Sequence, residues 1–275
     1  MPEGLRPAVT FITGSSFVPG MDLDVRELLT DTIKRYLDRY CDENGFDPVW
    51  GDPLVGFADA RSPLFQELRT VVHPDHLMPE DILPGATIVV SYYIPYDREL
   101  AKGNISGNTA STEWAFAYAL TTSIIDDLAD TVATDVRALD FEAEFPTPEQ
   151  YGRIEGDIVS RWSQRHVAYI AGLGAFGKNN MLITDRGCCG RFYSVVTNLD
   201  VEPDVPVEGE RCLFKIDGSC GACMRKCRSK ALTPGGYDCW ACDRYGDASR
   251  ATYNGLYACG KCIVGMPCSF RDPSA

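Results

Sequence analysis

Histidine, long apolar runs and positive charge are scarce in this chain, and each shortage excludes something. There are three histidines in 275 residues, at positions 73, 76 and 166. Two of them form HPDH (73–76) in a proline-rich stretch without a third partner, which reads as loop chemistry rather than a metal pair. No apolar run approaches the roughly 18 residues of a membrane span, so no membrane partner is expected. The segment from Met1 to Thr13 lacks the charged-then-apolar layout of an export signal, which points to a cytoplasmic protein whose thiols stay reduced. Twenty-six Lys and Arg stand against 39 Asp and Glu, a formal net charge of -13. That field repels phosphate backbones and disfavours nucleic acid as a partner.

Cysteine, by contrast, is abundant and clustered. Of twelve cysteines, nine fall between Cys212 and Cys268. A C-x-x-C pair brings two thiolates to one site, and this density indicates bound metal rather than packing. Two allocations compete. Cys220, Cys223 and Cys227 form C-x2-C-x3-C, the tail of the bacterial ferredoxin run, with Asp217 at the missing first position, so Cys212 supplies that ligand. With the ligand exchange of two-cluster ferredoxins, Cys212, Cys220, Cys223 and Cys268 hold one [4Fe–4S] cluster and Cys227, Cys242, Cys259 and Cys262 hold the second, leaving Cys239 spare. In the alternative, Cys212, Cys220, Cys223 and Cys227 hold a single cluster, while Cys239, Cys242, Cys259 and Cys262 form a four-cysteine zinc site with Cys268 spare. Arg225, Lys226, Arg228 and Lys230 add a basic stretch that reads as a solvated face, or as a docking point for an acidic donor.

The rest reads as an α+β body of about 200 residues (1–203), followed by a cysteine-rich module (204–275) after the acidic, proline-bearing linker 201–210. Helical spacing of apolar residues predicts helices over Asp22–Asn44, Trp114–Val132 and Glu149–Ile170. Ala86–Ile94, Met181–Thr184 and Phe192–Leu199 read as strands, the last two flanking a DRGCCGR turn. Residues 46–85, rich in Pro and Gly, are expected to lack regular structure. Cys41, Cys188 and Cys189 read as structural thiols.

Residues 172–178, GLGAFGK, resemble a nucleotide loop only formally. A helical pattern precedes them and a strand follows, the reverse of the order that places phosphates at a helix N-terminus, and Asn179 replaces the magnesium-ligating hydroxyl of a P-loop. Gly172, Gly174, Phe176, Gly177 and Lys178 are instead candidates for a tight turn or for close approach to a flat cofactor, with His166 as a candidate cofactor contact or proton donor.

SQRHVAYIAGLGAFGKNNMLIT, CGACMRKCRSKAL, ITDRGCCGR, GYDCWAC and CGKCIVGMPC together resemble the epoxyqueuosine reductase-like iron–sulfur proteins, relatives of cobalamin-dependent reductive dehalogenases, over about residues 50–270. The resemblance implies a nitroreductase-like N-terminal domain, a small ferredoxin-like module with two [4Fe–4S] clusters, and a base-off cobalamin between them. It favours Cys242 over Cys239 and Cys268 as the closing ligand. None of the histidines lies in a D-x-H-x-x-G pattern, so a corrinoid would not be held through that motif. The family's catalytic aspartate falls on Ile158 without a gap and on Asp157 with a shift of one residue. The expected activity is that of an oxidoreductase fed by a ferredoxin- or flavodoxin-type donor and acting on a small organic substrate. The alternatives are a carrier or corrinoid-handling protein without chemistry of its own, and a zinc-stabilised module.

Overall fold

The computed structural model describes residues 24–275. The segment Met1–Thr13 and the expected helix start at Asp22 lie outside the described residues. α1 (Val25–Asn44) is capped by Asp24, whose carboxylate accepts the Arg26 and Glu27 N–H groups, and it stops at Gly45 in a left-handed conformation. Its buried stripe, Leu29, Ile33, Leu37 and Cys41, packs on α5 (Thr112–Arg137).

A four-stranded antiparallel sheet forms the centre. Its order is β1 (Leu54–Asp59), β2 (Ile88–Pro95), β6 (Gly190–Thr197) and β3 (Ala143–Glu144). All eight residues of β2 are buried. Val90, Tyr92 and Ile94 join the core shared with α1 and α5, whereas Val89 and Tyr93 pack on the opposite side. That side is covered by α7 (Gln164–Ile170) and α2 (Pro63–Val71). Helices on both faces explain why the strand reads as a continuous apolar run instead of an alternating one.

Three expectations fail here. The stretch 46–85 is not irregular: it contains β1, α2 and the short α3 (Pro79–Ile82). Its proline signals start helices, since Ser62 is the N-cap of α2 and Pro63 its first residue. The helix expected over Glu149–Ile170 is broken into α6 (Pro148–Tyr151), a loop of residues 152–163, and α7. Gly152 and Gly156 (φ +81°) sit inside that span and disfavour helix, while the Ile154 N–H donates across a turn to the Val159 carbonyl. The strand expected over Met181–Thr184 shrinks to β5 (Leu182–Ile183), which pairs with β4 (Ala175–Phe176) outside the main sheet.

α4 (Arg98–Lys102) leads into the loop 104–110, where Asn104 Nδ2 donates to the Cys259 carbonyl and the Ala110 carbonyl accepts the Tyr253 hydroxyl, so that this loop holds the C-terminal part. α8 (Leu213–Ile216), α9 (Ala222–Lys226), the hairpin β7 (Leu232–Thr233)–β8 (Gly236–Tyr237) and α10 (Cys239–Thr252) follow. This part shares the main core through Cys212, Ala258, Ile263 and Val264. Cys188 and Cys189, beside the DRG turn, donate their backbone N–H groups to the Cys268 and Ser269 carbonyls at 2.9 and 3.0 Å. The chain end is thereby stitched to the start of β6.

Candidate functional site

The thiols fall into two groups. Cys212, Cys220, Cys223 and Cys268 line a small cavity together with Lys178 and Phe214. Cys227, Cys242, Cys259 and Cys262 line a much larger cavity of about 510 Å³ between the body and the C-terminal part. Cys239, at the first position of α10, lines neither.

Electrostatics repeat this division. Burial pushes the Cys223 thiol up to about 11, and the charges of Cys268, Cys212 and Cys220 push in the same direction. Cys262 is raised further by burial and then by Cys259, Cys242, Cys227 and Cys223. Four crowded thiolates in a low-dielectric pocket repel one another, and a cationic metal core is what resolves that repulsion. Donors also point at the sulfurs. The Lys178 N–H donates to Cys212 Sγ at 3.4 Å, and Tyr257 Oη lies 3.0 Å from Cys242 Sγ. The Cys188 thiol donates to Cys268 Sγ at 3.8 Å, which holds Cys268 below the usual thiol range.

Beside the second group stands a buried donor without a partner. The Trp114 indole is 2% exposed, and its Nε1 has no hydrogen-bond acceptor. It rests on Gly260, between Cys259 and Cys262, and a sulfur-rich cluster held there would supply the acceptor. Among the described residues, no three His, Cys, Asp or Glu side chains converge closely enough to hold a single metal ion.

The glycine loop is a tightly packed turn, the first of the two readings its sequence allows. A Cβ at Gly174 would collide with the Ile183 carbonyl, one at Gly172 (φ +68°) would lie 2.5 Å from the Val205 carbonyl, and one at Gly177 would meet Asn179 and Ile183. These glycines make room for protein backbone and neighbouring side chains, and neither they nor Phe176 line the large cavity. Lys178 faces the small cavity, and its Nζ donates to the Pro234 carbonyl at 2.8 Å. His166 packs on Phe176 with ring centres 4.8 Å apart, and its Nδ1 is 2.8 Å from Ser163 Oγ. It too is absent from the cavity wall. Asp157 lies in the 152–163 loop rather than on a helix, away from the cavity, with its carboxylate accepting the Ile158 N–H at 2.6 Å. His76 is structural: its Nε2 accepts the Ser163 N–H at 3.0 Å.

The large cavity is walled by groups that the sequence did not single out. Tyr118, Tyr151, Trp162, Phe192 and Tyr193 give it an aromatic lining. Tyr193 Oη donates to Asp126 Oδ1 at 2.7 Å, and Tyr151 Oη donates to the same oxygen at 3.1 Å. Alternation along β6 was a signal only that Arg191 and Tyr193, two residues apart, share a face.

No family model matches the chain. Over 116 residues, 38% of the chain, it is 32% identical to epoxyqueuosine reductase of Bacillus subtilis (strain 168), a match that spans 28% of that relative. Its fold resembles that of an epoxyqueuosine reductase solved with an epoxyqueuosine-modified tRNA-Tyr stem loop, at 23% identity and a TM-score of 0.50, covering 90% of this chain and 66% of that one. It also resembles a reductive dehalogenase whose structure suggests a mechanism for B12-dependent dehalogenation, at a TM-score of 0.54, covering 77% of this chain and 29% of that one. The chain therefore has the mixed α/β fold of these proteins. By sequence it is a partial homologue of epoxyqueuosine reductase.

Proposed function

We propose that this protein is an iron–sulfur oxidoreductase that delivers electrons to a small organic ligand in the cavity between its two parts. The observation that carries this reading is the division of eight thiols into two sets of four, the second of which is also part of the cavity wall. Bound [4Fe–4S] clusters would supply one-electron transfer. Cys212, Cys220, Cys223 and Cys268 would hold the first and Cys227, Cys242, Cys259 and Cys262 the second. Ligands attached to four different irons stand further apart than ligands on one ion, which agrees with the absence of a single-ion site among the described residues. A zinc site would also need Cys239, which lies outside both cavities.

Tyr193 holds a proton at the cavity wall. Burial, followed by its hydrogen bond to Asp126, keeps the phenol protonated well beyond its usual range. A phenol held this way is a weak acid, and it would give up its proton only to a strongly basic centre such as the carbanion formed when a substrate is reduced. A simple electron carrier has no use for a cavity of this size, which favours a reductase over a carrier.

Cobalamin, which the resemblance implies, is a candidate occupant. The glycine loop and His166 are not part of the cavity wall and do not fit the role of holding it, so no step is assigned to it. The electron donor would be of ferredoxin or flavodoxin type. Net charge alone argues against nucleic acid, yet a protein of this fold has been solved with a tRNA stem loop, so overall charge does not decide that question.

Anaerobic purification with metal analysis and redox-titrated EPR tests the proposal. About eight irons per chain with two reducible signals supports it, whereas about four irons with one zinc overturns it.

A further inference from the structure

The wall of the large cavity contains four cationic side chains, Arg165, Arg191, Arg228 and Lys261, and no Asp or Glu. This is notable in a chain with thirteen more acidic than basic residues, a formal net charge of -13. Three of the four cations have evident counterparts. Arg228 follows Cys227, and Lys261 lies between Cys259 and Cys262. The Lys261 ammonium is held by the Asn104 carbonyl and Oδ1 and by the Ser106 carbonyl, at 2.7–2.9 Å. Arg165 donates to the Asn180 carbonyl and faces Cys262 and Cys242. The negative charge of a four-thiolate group answers these three.

Arg191 has no such counterpart. It stands near the start of β6, its guanidinium 4.4 Å from the centre of the Tyr118 ring and 3.5 Å from Thr122 Oγ1. The ionisable groups that face it are the phenols of Tyr118, Tyr96 and Tyr151, with no carboxylate among them. The same wall offers a buried donor without a partner. Gln164 Oε1 accepts the Ser194 hydroxyl at 2.8 Å, which leaves its buried Nε2 without a partner. A guanidinium and an amide N–H beside aromatic rings are the chemistry that recognises a planar anion.

We propose that Arg191, assisted by Gln164, binds the carboxylate or phosphate of a flat, unsaturated ligand in this cavity. The inference rests on the reading of the cavity as the reducing site and names the class of ligand it takes. The anion belongs either to a small substrate, such as an aromatic carboxylate, or to the nucleotide phosphate of a bound cofactor.

The test is ligand binding to the cluster-loaded full chain, followed by tryptophan fluorescence under anaerobic conditions, and it needs no turnover. Benzoate and phenyl phosphate probe the first source, with benzamide as the neutral control. Cob(II)alamin probes the second, with cobinamide, which lacks the nucleotide phosphate, as its control. The expected result is that one anionic member binds at least tenfold more tightly than its neutral control, and that R191Q removes this preference while R191K retains most of it. Unchanged iron content and melting temperature in R191Q would show that the fold is intact. Binding by R191Q equal to that of the native chain, equal binding of charged and neutral probes, or no binding of either anionic class overturns the proposal. Iron content and cluster potentials are measured separately, so loss of this inference and loss of the electron-transfer reading give different results.

Discussion

Trp114 and Gly260 are in direct contact: the Cε2, Cζ2 and Nε1 atoms of the indole occupy the space that a Cβ at position 260 would need. Gly260 also has φ +61°, a conformation that costs another residue about 1–2 kcal/mol. G260A therefore combines backbone strain with a collision at the loop that carries Cys259 and Cys262. The expected outcome is loss of about half the iron with a lowered unfolding temperature. Full iron content in G260A would mean that this loop does not hold the second metal group.

W114F separates the ring from its donor. It keeps an aromatic ring at this position but removes the partnerless Nε1 together with the indole atoms that touch Gly260. Without a bound group, stability should fall by about 1–2 kcal/mol, the cost of the cavity left where the indole packed, with no hydrogen bond lost. With a cluster in place, losing an N–H directed at its sulfurs should lower the reduction potential of one of two EPR signals. Identical potentials in W114F and the native chain would show that the indole donates elsewhere.

Cys239 and Cys242 are distinguished in the same way. Cys242 lines the large cavity next to Tyr257, and Cys239 lines neither cavity. C239S should retain the full iron complement, whereas C242S should lose about half of it, as measured by iron and sulfide analysis. The reverse result would favour a zinc site built on Cys239.

The cysteine pattern was legible because ligand spacing is a local property of the chain. The cavity was not, because its wall is assembled from distant segments: Trp114 on α5, Gln164 and Arg165 at the start of α7, Arg191 on β6, and Lys261 in the C-terminal loop. The buried strand at 88–95 was visible as an apolar run, and the long helix α5 was visible from its period. The 152–163 loop was misread because Ile154, Ile158 and Trp162 happen to recur at helical spacing across Gly156. The glycine loop left two readings open, a tight turn or room for a flat cofactor, because its sequence does not show that Ile183 and Val205 occupy the space beside it.

His166 gives the fold a pH dependence with a definite sign. Burial, then the charges of Arg165 and His76, lower its folded value from 6.5 to about 4. As pH falls, the unfolded chain takes up this proton first. The contribution is therefore complete above pH 6.5 and is lost as pH falls toward 4. Between about pH 7.5 and about pH 5 the loss is about 2 kcal/mol. Urea unfolding should show the native chain losing that much more stability than H166Q over the same interval. His76 is present in both proteins, so its own titration cancels. Parallel stability curves would mean that His166 is as accessible to protons when folded as when unfolded.

Asp157 and Tyr193 make opposite predictions for proton delivery. The Asp157 carboxylate is engaged with its neighbour's N–H and stands off the cavity wall, while the Tyr193 phenol lies on that wall with Asp126 behind it. With an acceptor that reoxidises the dithionite-reduced protein, Y193F should slow turnover by about 10²-fold, the usual cost of losing a positioned proton donor. Its iron content should be unchanged, since Tyr193 contacts none of the eight thiols by hydrogen bond. D157N should turn over like the native chain. A large loss in D157N with little change in Y193F would mean that the 152–163 loop moves during reaction and brings Asp157 to the substrate, which would shift the proton-donating role from β6 to that loop.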